Sequence, residues 1–338
     1  LFPSRDSQPS VSLLYASSGS MAQLLNTGQI DAFLIWEPIV ANAELSGIGK
    51  RIAVPSDLPP PGKWDNAAIN ILVLRQDTVQ AHPDLAALLS ALTTAAIDRT
   101  NEDPTLAENI TAHWVYGKGP ILTPQGTLDP LTVEQRSFEN MVFTAEAAPP
   151  EASIVEYTIN SMTGTTGSYD PMMWVDSTVP ERAAYFLNGT AVPTIDPALP
   201  TLNIGYIPSS DNYAPVYVMV KDSEYFCDRY GFCLVPDDPS LSRPVSCTLL
   251  VNRTPAAHIN LIMGQSGGGI MTTIGQKALE GAYVGSVPAE LQIALGNPSV
   301  IIQSINTGGS GLVVSSSASL KDWDDFVVWT KARSMAGR

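Results

Sequence analysis

The sequence is poor in charge. Of 338 residues, charged side chains make up 15%, and they are lopsided, with 18 Lys and Arg against 33 Asp and Glu and a formal net charge of −15. Ordinary globular chains carry about 25%. No basic block interrupts the acidic excess, so nothing would neutralise a phosphate backbone, and no nucleic-acid partner is expected. Long apolar runs are missing too. The best stretches, such as Ile69–Leu74, are strand-sized and far below the roughly 18 residues of a membrane span. Histidine is scarce: His82, His113 and His258 stand singly and read as structural, so no metal or other cofactor is expected. No basic-plus-apolar leader opens the chain, and Leu1 is not an initiator Met, which reads as a processed or partial polypeptide.

Cysteine is limited to three residues. Cys227 and Cys233 flank Asp-Arg-Tyr-Gly-Phe, which reads as a loop, and Cys247 follows. That spacing, with His258 alone nearby, is a poor zinc signature. Either a disulfide within the trio or three free thiols fits the spacing. The sequons at Asn109, Asn188 and Asn252 permit glycosylation. Low Lys content, Ser/Thr richness and a disulfide together favour a compartment outside the cytosol.

What is present is an ordinary apolar fraction, 44%, and length for about two domains. Strand patterns fall at Val11–Ala16, Ile30–Trp36, Ala68–Leu74, Leu202–Ile207, His258–Met263, Gly281–Gly285 and Ser299–Asn306. Helical patterns fall at Ser20–Asn26, Ile39–Leu45, Asp84–Asp98, Pro104–Trp114, about 151–163, Val216–Glu224, Ile270–Leu279 and Pro288–Leu295. Pro83 and Pro104 sit where a first helical turn tolerates proline. Residues 55–66 read as an exposed connection, and 189–200 as the clearest linker. The alternation predicts an α/β fold with mixed, largely parallel sheets.

Chemistry-bearing motifs are few. Gly264-Gln265-Ser266-Gly267-Gly268 fits the nucleophile-elbow spacing between a strand and a helix. That triad needs a later histidine, and none follows His258, so its chain order fails; His82 and His113 lie far upstream and would need an unusual order. The same residues, at a helix start, expose N–H donors suited to a carboxylate, sulfonate or ring carbonyl. Ser17-Ser18-Gly19-Ser20 is a second small-residue helix start. Neither a phosphate-binding loop nor a dinucleotide fingerprint exists. Little here can do acid–base or nucleophilic work, and no enzyme is expected.

Ile204-Gly205-Tyr206-Ile207-Pro208-Ser209-Ser210-Asp211, Gly264–Gly269, Tyr283-Val284-Gly285-Ser286-Val287-Pro288-Ala289 and Ser310–Ser315 resemble the opening of type II solute-binding proteins of ABC importers. The group is the NMT1/THI5-like one, which includes nitrate, sulfonate, taurine and thiamine-precursor binders. Leu24 with Gly28, Ile30, Asp31 and Ala32, then Trp36-Glu37-Pro38, then Arg75 through His82-Pro83-Asp84-Leu85, resemble its later portion. The fungal enzyme branch carries a cysteine-rich motif that Cys227–Cys233 does not reproduce. The resemblance implies a two-lobed, hinged periplasmic-binding-protein-like fold, a small-molecule ligand, and the membrane subunits of an ABC importer as partners. The location it implies is extracellular, cell-surface or periplasmic. Carried over, the ligand site is Ser209, Ser210, Asp211, Asn212, Ser266, Gly267, Gly268 and Ser286 from one lobe. The facing lobe supplies Ser18, Ser20, Trp36 and Glu37.

The order of the two portions is inverted relative to the family. On this reading, 1–66 is a second-lobe segment, 67–188 a return segment, and 189–200 a linker. Residues 201–320 form the first-lobe segment and 321–338 a crossover tail. A stretch of roughly 30 residues, estimated from the family, that normally gives the second lobe a strand and helix is missing. An open sheet edge results, and the contrasting reading is a binding-protein fold reused in a head-to-tail assembly by segment exchange.

Overall fold

The computed structural model describes residues 11–149 and 152–336, so most of the expected lead-in over 1–12 lies outside it. In chain order the strands begin with β1 (Ala32–Trp36), β2 (Gly49–Ala53), β3 (Asn70–Arg75), β4 (Ile121–Thr123) and β5 (Gly126–Leu128). Next come β6 (Met141–Phe143), β7 (Thr201–Tyr206), β8 (Phe232–Pro236), β9 (Ser246–Val251) and β10 (Thr254–Met263). The last are β11 (Gly281–Gly285), β12 (Ser299–Gly308) and β13 (Ser310–Ser315). The fold is mixed α/β in two compact units, and the chain passes between them after Asp65, Gly119, Asn140 and Thr307.

The first unit gathers residues 11–65, 120–140 and 308–336 around an antiparallel sheet ordered β1-β13-β2. Strand β13 alternates faces, as period-2 geometry requires. On one face Val313 joins Leu25, Phe33, Ile35, Val40, Ala43 and Ile48, covered by helices Met21–Asn26 and Ile39–Leu45. On the other, Leu312 and Val314 join Ile52, Ala53 and Leu320 under Trp323, Phe326 and Trp329 of helix Trp323–Ala336. Those three aromatics recur every third residue, which places them on one helical stripe.

The second unit holds residues 66–119 and 141–307 and a sheet ordered β6-β12-β3-β11-β7-β10-β9-β8. Parallel pairing joins β7 to β10 and β11, while β3 runs antiparallel to β11 and β12, and β9 antiparallel to β8 and β10. Parallel pairing is thus narrower than the alternation suggested, because β8, β9 and β10 are successive strands joined by loops rather than helices. Helix Pro83–Glu102 is buried along most of its length, Leu85, Leu88, Leu89 and Leu92 included. Each such leucine contributes about 1.5–3 kcal/mol. Alanines 86, 87, 91, 95 and 96 let its neighbours approach closely. Asp103 accepts the Leu106 N–H and starts helix Pro104–Tyr116, whose Trp114 stacks on Tyr217 at 4.6 Å between ring centroids.

Four readings of the sequence change. Residues 12–17 have no regular structure and no sheet pairing among the described residues, with Leu13 and Tyr15 84% and 95% exposed, so alternation there lacks the pairing that makes a strand. The Cys227–Cys233 stretch is no loop: Cys227 lies in helix Ser223–Tyr230, Gly231 turns the chain at φ +76°, and Cys233 lies in β8. The helix expected at 216–224 is two, Ala214–Lys221 and Ser223–Tyr230, broken at Asp222. The one expected from Ile270 starts earlier, at Gly267, and ends at Gly275. Cys227 and Cys233 are paired as a disulfide with Cα atoms 4.9 Å apart. Cys247 is free and buried, and burial pushes its thiol up to about 12. Asn109 lies on a helix, while Asn188 and Asn252 lie in exposed turns.

Candidate functional site

In the second unit the carboxyl ends of β11, β7 and β10 lie side by side, since these neighbours run parallel. The segments that leave those ends are Ile207–Tyr213, Gly264–Ser266 and Ser286, which hold most of the expected ligand residues. Ligands of open α/β sheets bind at this end because loops and helix N-termini present unpaired N–H groups there. Tyr217 fixes the first loop: its hydroxyl donates to the carbonyls of Ser210 at 2.8 Å and Ile207 at 3.3 Å. Ser209 is half-buried, and Ser210, Asp211 and Asn212 are buried.

Ser266 caps helix Gly267–Gly275, its hydroxyl accepting the Gly269 N–H at 3.2 Å. Ser266 also lines a cavity of about 230 Å³ with Ile262, Met263, Ile270 and Leu279. Gly267 has to be glycine, because a Cβ there would stand 2.6 Å from Pro288 Cγ. The close approach seats this helix start against the start of helix Ser286–Ala294. Gly268 is exposed beside it, and buried Ser286 donates its N–H to the Ile69 carbonyl at 2.9 Å.

Two residues at this end escaped the sequence reading. Asn70 opens β3 and Asn306 lies two residues before the end of β12, and the two are register partners. Asn70 Nδ2 donates to Asn306 Oδ1 at 3.1 Å, and Asn306 Nδ2 donates to Asn212 Oδ1 at 2.8 Å. The available signal was slight: an asparagine opens the apolar run of β3, while in β12 Asn306 is one of several polar residues beside Ser299, Gln303, Ser304 and Thr307. One turn into helix Ser286–Ala294, Glu290 is buried and Oε1 has no hydrogen-bond partner; burial pushes its carboxyl up to about 8.

The remaining expected residues belong to the first unit. Ser18 and Ser20 are half-buried in a 3₁₀ turn, and the Ser20 hydroxyl donates to the Ser17 carbonyl at 2.8 Å. Trp36, half-buried, ends β1 and packs on the Phe33–Ile35–Val40 cluster. Glu37 is fully buried. Its Oε2 accepts the Ala41 N–H at 2.9 Å and its Oε1 the Asn140 Nδ2 at 3.0 Å. Arg51 Nη1 lies 3.1 Å from Oε1, an ion contact rather than an aligned hydrogen bond. Both oxygens are thus held inside the unit, and Glu37 braces the corner that carries Trp36.

Among the described residues no group of three or more His, Cys, Asp or Glu is placed to hold a metal ion, and no helix is long and apolar enough to cross a membrane. No curated protein and no solved structure matches this chain. Residues 5–115, which contain the Trp36-Glu37-Pro38 and His82-Pro83-Asp84-Leu85 pieces of the resemblance, match the NMT1-like family, in keeping with the NMT1/THI5-like solute-binding proteins.

Proposed function

We propose that the protein is an extracytoplasmic solute-binding protein that captures a small anionic or heteroaromatic molecule for an ABC importer, with no catalysis of its own. One observation carries the reading: the carboxyl ends of β7, β10 and β11 and the asparagines of β3 and β12 put Asn212, Ser266, Ser286, Asn70 and Asn306 at one end of one sheet. No lysine or arginine is among the expected ligand residues, so N–H dipoles hold an anion there. Ser18, Ser20 and Trp36 are the proposed contributors from the first unit. The NMT1-like match supports the small-molecule ligand and the importer partner. The disulfide fits an oxidising compartment, where Asn188 and Asn252 are the better placed sequons.

Ligand binding stabilises the native state by RT ln(1 + [L]/Kd). A thermal-shift series with taurine, benzoate, nitrate, a thiamine pyrimidine precursor and thiamine is expected to give a melting rise that grows with concentration for at least one compound. A flat response to all of them rejects the reading.

The exposed, unpaired segment 12–17 favours a second reading, in which copies exchange segments in a head-to-tail assembly derived from the inverted order. Concentration-dependent particles in light scattering, with a flat ligand series, are its signature.

A further inference from the structure

At the amino ends of β7 and β10, opposite the end that holds the expected ligand residues, the second unit carries a cavity of about 410 Å³. That is within the range of small-molecule pockets. One wall is apolar: Leu85 and Leu88 of helix Pro83–Glu102, Pro200 just before β7, and Ala256 of β10. β10 bulges between Pro255 and Ala257, so Ala256 has no register partner in β9 and is buried next to buried Ala257. A bulge of this kind re-aims a side chain, and here it sets a single methyl group in the cavity wall.

The polar wall joins residues far apart in sequence. Thr194 donates its N–H to Asp84 Oδ2 at 2.7 Å, which ties the segment before β7 to the start of helix Pro83–Glu102. Arg182 Nε and Nη2 both meet Asp84 Oδ1, so the buried Asp84 carboxylate is neutralised and both its oxygens are engaged. One donor and one acceptor are left over among the described residues. Arg182 Nη1 makes no hydrogen bond, and its side chain is 50% exposed. Asp196 Oδ1 accepts the Ala198 N–H at 2.9 Å, while Oδ2 faces His82 Nδ1 at 3.8 Å, beyond hydrogen-bond distance. A purely anionic guest would meet the Asp196 charge, and a purely cationic one would leave Nη1 unpaired once water is displaced. A guest carrying both charges satisfies both groups.

We propose that this cavity is a second ligand site, which takes a small aliphatic zwitterion of the α-amino acid class. The ligand carboxylate accepts from Arg182 Nη1, its ammonium donates to Asp196 Oδ2, and its side chain lies on Leu85, Leu88, Pro200 and Ala256. The site is separate from the one at the carboxyl ends of the strands and does not depend on the importer reading.

The test is a calorimetric titration of the whole chain at pH 7 with L-leucine. Two truncated analogues are run beside it: 4-methylpentanoate, which lacks the ammonium, and 3-methylbutylamine, which lacks the carboxylate. Leucine is expected to bind, and each analogue at least about tenfold more weakly. Asp196→Asn keeps an acceptor for the Ala198 N–H and removes the charge, so it should weaken leucine about tenfold. Ala256→Leu fills the cavity and should abolish binding; if that variant does not fold, Asp196→Asn, at an exposed position, carries the test alone. A parent that binds no leucine overturns the proposal, and so does an analogue that binds as tightly as leucine. Parent-like leucine affinity in Asp196→Asn overturns it as well, since leucine then lies elsewhere on the chain.

Discussion

Glu37 and Arg51 meet inside the first unit, the carboxylate fully buried and the guanidinium Nη1 3.1 Å from its Oε1. Arg51 also reaches Glu44 at 2.6 Å, and Arg136 reaches the same carboxylate at 3.0 Å. Burial pushes the Glu44 carboxyl up, but its bonds to Arg51 and Arg136 outweigh that and hold it below its ordinary value. Removing one partner of a buried pair strands the other charge. Arg51→Met is therefore expected to cost about 3–5 kcal/mol in chemical denaturation. Glu37→Gln combined with Arg51→Met should recover part of it. A loss under about 1 kcal/mol would place the pair in the surface class.

Glu290 gives a pH dependence of defined sign. Its native pKa, about 8, lies above the ordinary 4.5, so between those values the native state holds a proton that the unfolded state has released. The stability that protonated Glu290 gives is complete below pH 4.5 and is lost progressively as pH rises to about 8. Glu290→Gln removes that slope. The variant should match the parent at low pH and exceed it increasingly toward pH 8, by a few kcal/mol at most, on the order of 4. Parallel stability curves for the two proteins would show that Glu290 ionises freely.

Thiol counting separates the three cysteines. The unfolded, unreduced protein is expected to react at one thiol and the reduced protein at three. Native Cys247 should stay unmodified, because burial keeps it a thiol. Replacing Cys227 and Cys233 by Ser should cost about 2 kcal/mol, the cross-link entropy of so short a loop.

Trp36 bears on the site in the first unit. It is half-buried against the Phe33–Ile35–Val40 cluster, so Trp36→Ala should lower stability by roughly 2–3 kcal/mol through lost packing. If its ring also meets a ligand, affinity for the best compound falls at least about tenfold. Lost stability with unchanged affinity would assign Trp36 to the core alone.

Elements with strong local signals were legible in the sequence. Helix Ile39–Leu45 and strand Gly281–Gly285 fall where the pattern put them, each bounded by a proline, a glycine or a polar turn. Strands β8 and β9 were not, because a cysteine spacing there reads as a loop and the polar stretch Asp237–Arg243 separates them. Pairing decides such segments, and the same fact removed Val11–Ala16 from the strands. In the candidate site, the loop residues Ser209–Asn212 came from the family resemblance rather than from any local pattern. Asn70 and Asn306 were not, since only β3–β12 register, 236 residues apart in sequence, makes them partners. Glu37 looked like a ligand donor for a related reason: nothing local announces that Arg51 and Asn140 will occupy it.

The order β1-β13-β2 has a consequence for how the chain comes off the ribosome. β1 and β2 make no ladder with each other, and the strand that separates them is more than 250 residues later in translation. Until β13 emerges, Phe33 and Ile35 on one strand and Ile52 and Ala53 on the other have no sheet to belong to. The second unit, whose strands are complete by Thr307, is free to fold first. Long closure distances of this kind slow folding and prolong the exposure of unpaired edges. Arrested nascent chains released at increasing lengths should therefore show protease-resistant β7–β12 well before β1 and β2 gain protection.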